Sequence, residues 1–160
     1  MSESTVVSYS VRRALPDDLG AIARIELDSA AYEGRLKPLD FSLGELERLW
    51  YDRLLSGQFD VLVAVAGHTV LGFIGIIAPS GKDGFIQAIY IDPDFYHRGI
   101  GTALLRASEK IFRSRHCPRV VLYVEPLNHN GKRFYAKAGF VATAKKFRHL
   151  SVWVKEIASC

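Results

Sequence analysis

Residues 88–105 read AIYIDPDFYHRGIGTALL, and the character of the sequence changes twice within this stretch. An apolar run rich in β-branched residues predicts a strand, a polar turn with two glycines follows, and the remaining apolar residues have helical spacing. The first N–H groups of a helix have no carbonyl partners and lie at the positive end of its dipole. A turn kept open by Gly99 and Gly101 is therefore a candidate site for phosphate.

The sequence on both sides of this stretch predicts a regular alternation of elements. Before it, a strand over residues 6–15, two amphipathic helices broken at residues 33–41, and two short apolar strands are expected. After it, RVVLYV at 119–124 predicts a buried strand, NGKRFYAKAGF at 130–140 a helix ending at Gly139, and residues 140–157 a terminal pair of strands. The predicted order is β-α-α-β-β-β-α-β-α-β-β.

Composition narrows the class of protein. The chain has 160 residues, 49% of them hydrophobic, which is typical of one compact domain over residues 1–160. Its net charge of +4 comes from scattered Lys and Arg, so a solvated basic surface is expected and no nucleic-acid partner. No apolar run approaches the roughly 20 residues that span a bilayer. With two cysteines, Cys117 and Cys160, the protein is predicted to be cytoplasmic, without membrane contact.

Two familiar kinds of site do not match this sequence. Leu104 stands where the dinucleotide-binding fingerprint has its third glycine, and no acidic residue ends the next strand. The five histidines are scattered without the spacing of metal ligands, so no metal is expected. From the turn alone, a phosphate site and a plain tight turn both remain open.

The turn and the later segment VEPLNHNGKRFYAKAGF, residues 124–140, together resemble the GNAT superfamily of acyl-CoA-dependent N-acyltransferases. The resemblance covers nearly all of the chain. It implies an α/β (α+β) fold with a mixed, mostly antiparallel central sheet and helices on both faces. It also implies an N-acetyltransferase that moves an acetyl group from acetyl-CoA to a primary amine by direct attack in a ternary complex. Tyr96 departs from the family pattern, which usually has Arg or Gln there.

The resemblance implies a binding site for coenzyme A. Backbone N–H groups of the turn would hold the pyrophosphate, and the strand before it would lie along the pantetheine arm, with one N–H facing the thioester oxygen. Core packing is the alternative for Ile89 and Ile91, and helix capping for Asn130. The implied cofactor-binding residues are Ile89, Tyr90, Ile91, His97, Arg98, Gly99, Ile100, Gly101, Thr102, Asn130 and Arg133.

The resemblance also implies the catalytic groups. Tyr135 matches the general acid that protonates the CoA thiolate, with a core aromatic as the alternative. Many members carry a carboxylate base at the position of Gln87, whose amide cannot accept a proton. Glu125, at the end of the next strand, is predicted to be the base, with Glu26, Glu33 or solvent as alternatives. The missing carboxylate favours an acceptor amine of low pKa, because more of it is already neutral.

The acceptor is expected between the first two helices and the terminal strands. Tyr32, Glu33 and Gln87 are the predicted substrate-binding residues, and Phe41 is a further candidate. A small-molecule amine and a peptide or protein amine both remain open, and a homodimer is compatible with the sequence. A non-catalytic acyl-CoA-binding or sensing module is the second hypothesis, favoured by Gln87 and Tyr96. Transfer to a tRNA-linked amine is a third, and predicts salt-dependent acceptor binding.

Overall fold

The computed structural model of the protein describes residues 8–30 and 40–157. The predicted order of helices and strands is confirmed, and short 3-10 turns precede α1 and α3. The first strand begins later and ends earlier than the range predicted for it, although residues 6 and 7 lie outside the described part. The elements are β1 (Ser10–Arg13), α1 (Leu19–Ala30), α2 (Leu43–Ser56), β2 (Phe59–Ala66), β3 (Thr69–Ile77), β4 (Gly84–Ile91), α3 (Ile100–Ser114), β5 (Arg119–Val124), α4 (His129–Lys137), β6 (Val141–Phe147) and β7 (Leu150–Glu156).

The strands form one seven-stranded sheet in the order β1-β2-β3-β4-β5-β7-β6. All neighbours are antiparallel except β4 and β5, which are parallel, so the predicted mixed and mostly antiparallel sheet is confirmed. Within the described strands, β4 and β5 pair only at Gly84 with Val120 and at Phe85 with Val121. Beyond Phe85 the two strands diverge, which opens a gap in the middle of the sheet.

Helices cover both faces of the sheet, as predicted, because each helix buries one apolar stripe. On one face, α3 buries Leu104 and Phe112 against Leu122 of β5. On the other face, α1 and α2 bury Ile22 and Trp50 against β2 and β3. In α2, Leu46 and Trp50 are buried, whereas Leu43, in the first turn of the helix, is 46% exposed.

A β-bulge interrupts β4 at Gln87. Ile86 lies opposite Ile76 and Ala88 lies opposite Gly75, so Gln87 is an extra residue without a partner on β3. The bulge changes which face the following side chains point to: Ile86 packs on the α3 side, whereas Ala88 packs on the α1 and α2 side. It therefore sets the orientation of the last four residues of β4, which border the gap.

The helix ends agree with the sequence. Gly57, with a left-handed φ of 73°, is the C-cap of α2. Gly139, with φ of 98°, directly follows Ala138, the C-cap of α4. Among the helices described, none is long and apolar enough to cross a membrane.

Candidate functional site

The glycine turn ends at α3 and presents a row of backbone amides. His97 and Gly99 have left-handed φ values of 62° and 77°, and Gly99 is the N-cap of the helix. Ala103 N donates to Gly99 O at 3.1 Å and begins the hydrogen bonding of the helix. In the described ranges, no protein acceptor is bonded to the amides of His97, Gly99, Ile100, Gly101 or Thr102. These amides are the donors that an anion requires.

The two glycines of the turn serve different purposes. A Cβ on Gly99 would meet no protein atom within 4 Å, so its left-handed backbone, and not lack of room, requires glycine. A Cβ on Gly101 would lie 3.2 Å from Cζ of Phe134, which is closer than an ordinary contact. Gly101 therefore lets α4 approach the first turn of α3.

A cavity of about 570 Å³ lies over this turn and extends along the end of β4. Every predicted cofactor-binding residue lines it, as do Tyr135 and several residues that were not predicted. The predicted residues in its lining are Ile89, Tyr90, Ile91, His97, Arg98, Gly99, Ile100, Gly101, Thr102, Asn130 and Arg133.

The charges in this cavity suit a phosphorylated ligand. Arg98, Arg133 and Lys137 line it, and the guanidinium of Arg98 lies 5.6 Å from the ring centroid of Phe95. Across the described segments, no cluster of His, Cys, Asp and Glu has the arrangement of a metal site. Open amides and cationic side chains together fit a diphosphate.

The capping alternative for Asn130 is wrong, because Asn128 is the cap of α4. Its Oδ1 accepts from Gly131 N at 2.9 Å. Asn130 instead pairs with Nη2 of Arg133 on the outer surface of the helix, at the rim of the cavity. Asn128 lines the cavity too, although it was not predicted to be a site residue.

A second cavity, of about 520 Å³, adjoins the first where β4 and β5 diverge. Tyr90, Asn128 and Tyr135 line both cavities, so these three residues stand between them. Tyr135 is half-buried, and its ring makes edge contacts with Phe134 and Phe140. Tyr135 thus makes the contacts expected of a core aromatic, and it also lies between the two cavities, as a general acid would have to.

The structure places Gln87 and Glu125 together in the second cavity. The Glu125 side chain is 12% exposed, and its Oε2 lies 3.0 Å from Nε2 of His149. An ionised carboxylate can only accept, so His149 is the donor in this hydrogen bond. His149 was not predicted as a site residue, because it lies 24 positions from Glu125 in the sequence.

The remaining candidates are Tyr32, Glu33 and Phe41 for the acceptor pocket and Glu26 as an alternative base. Tyr32 and Glu33 lie outside the described residues. Glu26 is buried in α1, where its Oε2 accepts from Nε1 of Trp50 at 3.1 Å. Phe41 is exposed, just before α2. Glu26 therefore has a structural contact of its own, and it does not line either cavity.

Aromatic side chains of the second cavity were also missed. Tyr123 and Phe147 stack with ring centroids 4.9 Å apart and planes 11° apart. The alternation of β5 carries a signal for Tyr123: Val120, Leu122 and Val124 are buried, so Tyr123 and Glu125 face the opposite side. The sequence contains no corresponding signal for the contact with Phe147.

Comparison with known proteins gives a consistent result. Residues 23–140 match the acetyltransferase (GNAT) family. A spermidine N(1)-acetyltransferase of Thermoplasma acidophilum is 35% identical over 87 residues, which are 53% of this chain and 53% of that protein. The match therefore spans about half the length of this relative. An uncharacterised N-acetyltransferase of Archaeoglobus fulgidus is 29% identical over 79% of this chain and 88% of its own length.

Solved structures include close matches to the fold. The crystal structure of the PaiA N-acetyltransferase of Thermoplasma acidophilum in complex with coenzyme A superposes with a TM-score of 0.75. It is 25% identical in sequence, and the alignment covers 93% of this chain and 99% of that one.

Proposed function

This chain belongs to the GNAT family of acetyltransferases, and we propose that it transfers an acetyl group from acetyl-CoA to a primary amine by direct attack in a ternary complex. The observation that carries the proposal is the pair of adjoining cavities separated by Tyr135. The first has phosphate-binding features at its far end, and the second contains a carboxylate. A donor cavity and an acceptor cavity that meet at a proton donor are what acyl transfer to an amine requires.

The first cavity would hold coenzyme A. The turn amides and Arg98 would bind the diphosphate, with Arg133 near the phosphates and Asn130 along the cofactor arm. When bound, acetyl-CoA supplies an activated acyl group as a thioester. The complex of coenzyme A with the PaiA relative supports this assignment.

The open edge of β4 supplies backbone donors to the reacting centre. Asp92 N donates to Leu71 O on β3, and N–H directions alternate along a strand. The N–H groups of Ile89 and Ile91 therefore point away from β3, toward the gap between β4 and β5. One of them would donate to the thioester oxygen, a contribution of about 3 kcal/mol to transition-state stabilisation in comparable sites.

Two side chains would move the protons. The phenol of Tyr135 would donate its proton to the departing thiolate sulfur. Glu125 would take the proton from the acceptor nitrogen, directly or through water, with His149 holding the carboxylate in place. The neutral amine nitrogen forms a bond to the acyl carbon as the bond from that carbon to sulfur breaks; the nitrogen loses a proton to Glu125, the sulfur gains one from Tyr135, and no covalent enzyme intermediate is needed.

The replacement Tyr135→Phe tests the acid role, because it removes the hydroxyl and keeps the ring contacts with Phe134 and Phe140. We expect kcat for thiol release to fall about 100-fold, the usual contribution of a general acid. CoA affinity, measured by calorimetry, should change little. Tyr51→Phe, on the exposed face of α2, is the matched control and should keep full activity.

The assay needs a panel of amines. The name of the spermidine relative makes polyamines the first acceptors to test, beside simple alkylamines and peptide N-termini. If the wild-type protein binds CoA but releases no thiol with any of them, the sensing module is the better description. If CoA itself does not bind, the proposed function is wrong.

A further inference from the structure

Three aromatic rings form a continuous wall in the second cavity, which we call the aromatic ladder: Phe85, Tyr123 and Phe147. The ring centroids of Phe85 and Tyr123 are 4.9 Å apart, and those of Tyr123 and Phe147 are also 4.9 Å apart. Tyr123 and Phe147 remain substantially exposed, at 37% and 46%. An open apolar wall of this kind suits the carbon chain of a ligand.

Glu125 is the only charged residue in the described lining of this cavity. Its carboxylate is largely shielded from water, and His149 holds Oε2. In the described part of the chain, no hydrogen bond reaches its Oε1. One carboxylate oxygen is therefore available to a ligand beside the aromatic ladder.

The cationic groups near this cavity lie outside its lining. The guanidinium of Arg148 stacks over Phe147, 5.4 Å from the ring centroid. Lys145 and Lys146 are exposed on β6. Although the chain has a net charge of +4, the cavity itself has an anionic and apolar character.

We propose that the second cavity binds the acceptor as an aliphatic ammonium ion, with the nitrogen on Glu125 and the carbon chain on the aromatic ladder. This inference rests on the proposed function and names the acceptor class for the same site. It favours alkylamines and polyamines, and it disfavours acceptors that carry a carboxylate, such as amino acids and acidic peptides. A carboxylate in the acceptor would meet the charge of Glu125, and no cationic side chain of the described lining would offset it.

This proposal reverses the expectation of an acceptor with low pKa. That expectation followed from the absence of a carboxylate at Gln87. Because Glu125 and Gln87 line the same cavity, a carboxylate is present beside the bulge after all, although it comes from β5. An ammonium ion bound to Glu125 releases one proton to solvent through that carboxylate before it attacks, and its nitrogen gives a second proton to Glu125 as the C–N bond forms and the C–S bond breaks. A basic amine is therefore a suitable substrate.

The first experiment compares three acceptors of equal chain length: hexylamine, 1,6-diaminohexane and 6-aminohexanoate. We expect kcat/KM for 6-aminohexanoate to be at least about tenfold below the values for the other two, because of charge repulsion in a shielded site. Equal values for all three would overturn the proposal. Since thiol release would then still occur, the proposed function would stand.

The second experiment measures binding without chemistry. Hexyltrimethylammonium cannot be acetylated and carries a permanent charge, whereas 1-hexanol has the same chain and no charge. On the CoA-bound protein, calorimetry should find the cation binding about tenfold more tightly than the alcohol, if the carboxylate attracts it. Equal affinities, or no binding of the cation, would contradict the proposal.

Variants test whether the preference for the cation over the alcohol arises in the second cavity. Glu125→Gln should remove the preference for the cation and leave 1-hexanol binding unchanged. Glu156→Gln, an exposed carboxylate on β7 outside the cavity, is the matched control and should retain the preference. Phe147→Ala should weaken both ligands together. A preference that survives Glu125→Gln would place the cation elsewhere and overturn the proposal, and the wild-type comparison decides it even if a variant fails to fold.

Discussion

At the scale of single residues, Asn128 and Asn130 are close in the sequence but have different roles in the site. Asn128 caps α4 and borders both cavities, whereas Asn130 pairs with Arg133 at the rim of the first. A Cβ on Gly131 would lie only 2.4 Å from Nδ2 of Asn128, so the glycine is what allows the cap side chain to fold over the first turn. The position of α4, and with it that of Tyr135, thus depends on one short side chain.

Replacing Asn128 should therefore lower stability, and replacing Asn130 should weaken ligand binding. Asn128→Ala is expected to lower the free energy of unfolding by about 1 kcal/mol, the usual value of an N-cap. Asn128→Ser, which keeps an oxygen acceptor, should recover most of it. Asn130→Ala should leave stability unchanged and weaken CoA binding. Urea unfolding and calorimetry distinguish the pair, and a loss of stability in Asn130→Ala alone would contradict the assignment.

At the scale of elements, the bulge of β4 and the close approach of α2 set the geometry of the gap. Trp50 is fully buried, and its indole lies directly over Gly75, the residue opposite Ala88 beside the bulge. A Cβ on Gly75 would lie 2.6 Å from Cη2 of Trp50. The strand needs a glycine here because a helix side chain occupies the space, and no turn requires it.

Gly75→Ala should therefore destabilise the protein by about 1–3 kcal/mol through overpacking. Urea unfolding measures the change, and tryptophan fluorescence should report a displaced Trp50. Gly44→Ala, near the start of α2 with nothing within 4 Å of the added Cβ, is the matched control. It should leave stability unchanged or raise it slightly. Equal effects of the two substitutions would show that the contact with Trp50 is not the cause.

At the scale of the whole molecule, a partly buried ion group joins distant parts of the chain. Asp60 of β2 accepts from Nη1 of Arg13 on β1 at 2.6 Å and from Nη2 of Arg115, at the end of α3, at 2.9 Å. Burial alone would raise the pKa of Asp60, but the hydrogen bonds from Arg115 and Arg13 outweigh it and lower the pKa below its ordinary value. The group connects the first edge of the sheet to the helix that starts at the glycine turn.

A lowered pKa makes this contribution depend on pH. It is present above the unfolded pKa of about 3.9 and is lost as the pH falls through the lower, folded value. Asp60→Asn should therefore cost about 2 kcal/mol of unfolding free energy at pH 7. The difference from wild type should shrink below about pH 4, because the carboxyl of the unfolded wild-type chain is then protonated while that of the folded protein is protonated only at lower pH.

Urea unfolding at pH 7 and pH 3 tests this dependence. Asp52→Asn removes a carboxylate whose pair with Arg48 is largely exposed, and it should change stability by less than about 0.5 kcal/mol at either pH. If Asp60→Asn costs as much at pH 3 as at pH 7, its effect does not come from the ion group.

Local sequence patterns predicted most of the fold and most of the residues that line the first cavity. The predicted order of elements agrees with the structure, and the residues predicted to bind the cofactor line one cavity around the turn. Helix periodicity, strand runs and glycine ends involve residues within a few positions of one another, so they can be recognised from adjacent letters. Adjacent letters did not decide which asparagine caps α4. Asn128 and Asn130 are only two positions apart, and either could be the cap while the first residue of the helix is unknown.

The sequence by itself determined the alternation of strands and helices and the glycine turn at residues 99–101 that precedes α3, since both follow from local periodicity and from backbone conformations that glycine favours. Only the tertiary structure decided the second cavity. That cavity opens where β4 and β5 diverge, and the stacking of Tyr123 on Phe147 and the contact of His149 with Glu125 each join residues about two dozen positions apart. Such contacts depend on the pairing of β5, β7 and β6, and the register between strands brings these side chains together on one face.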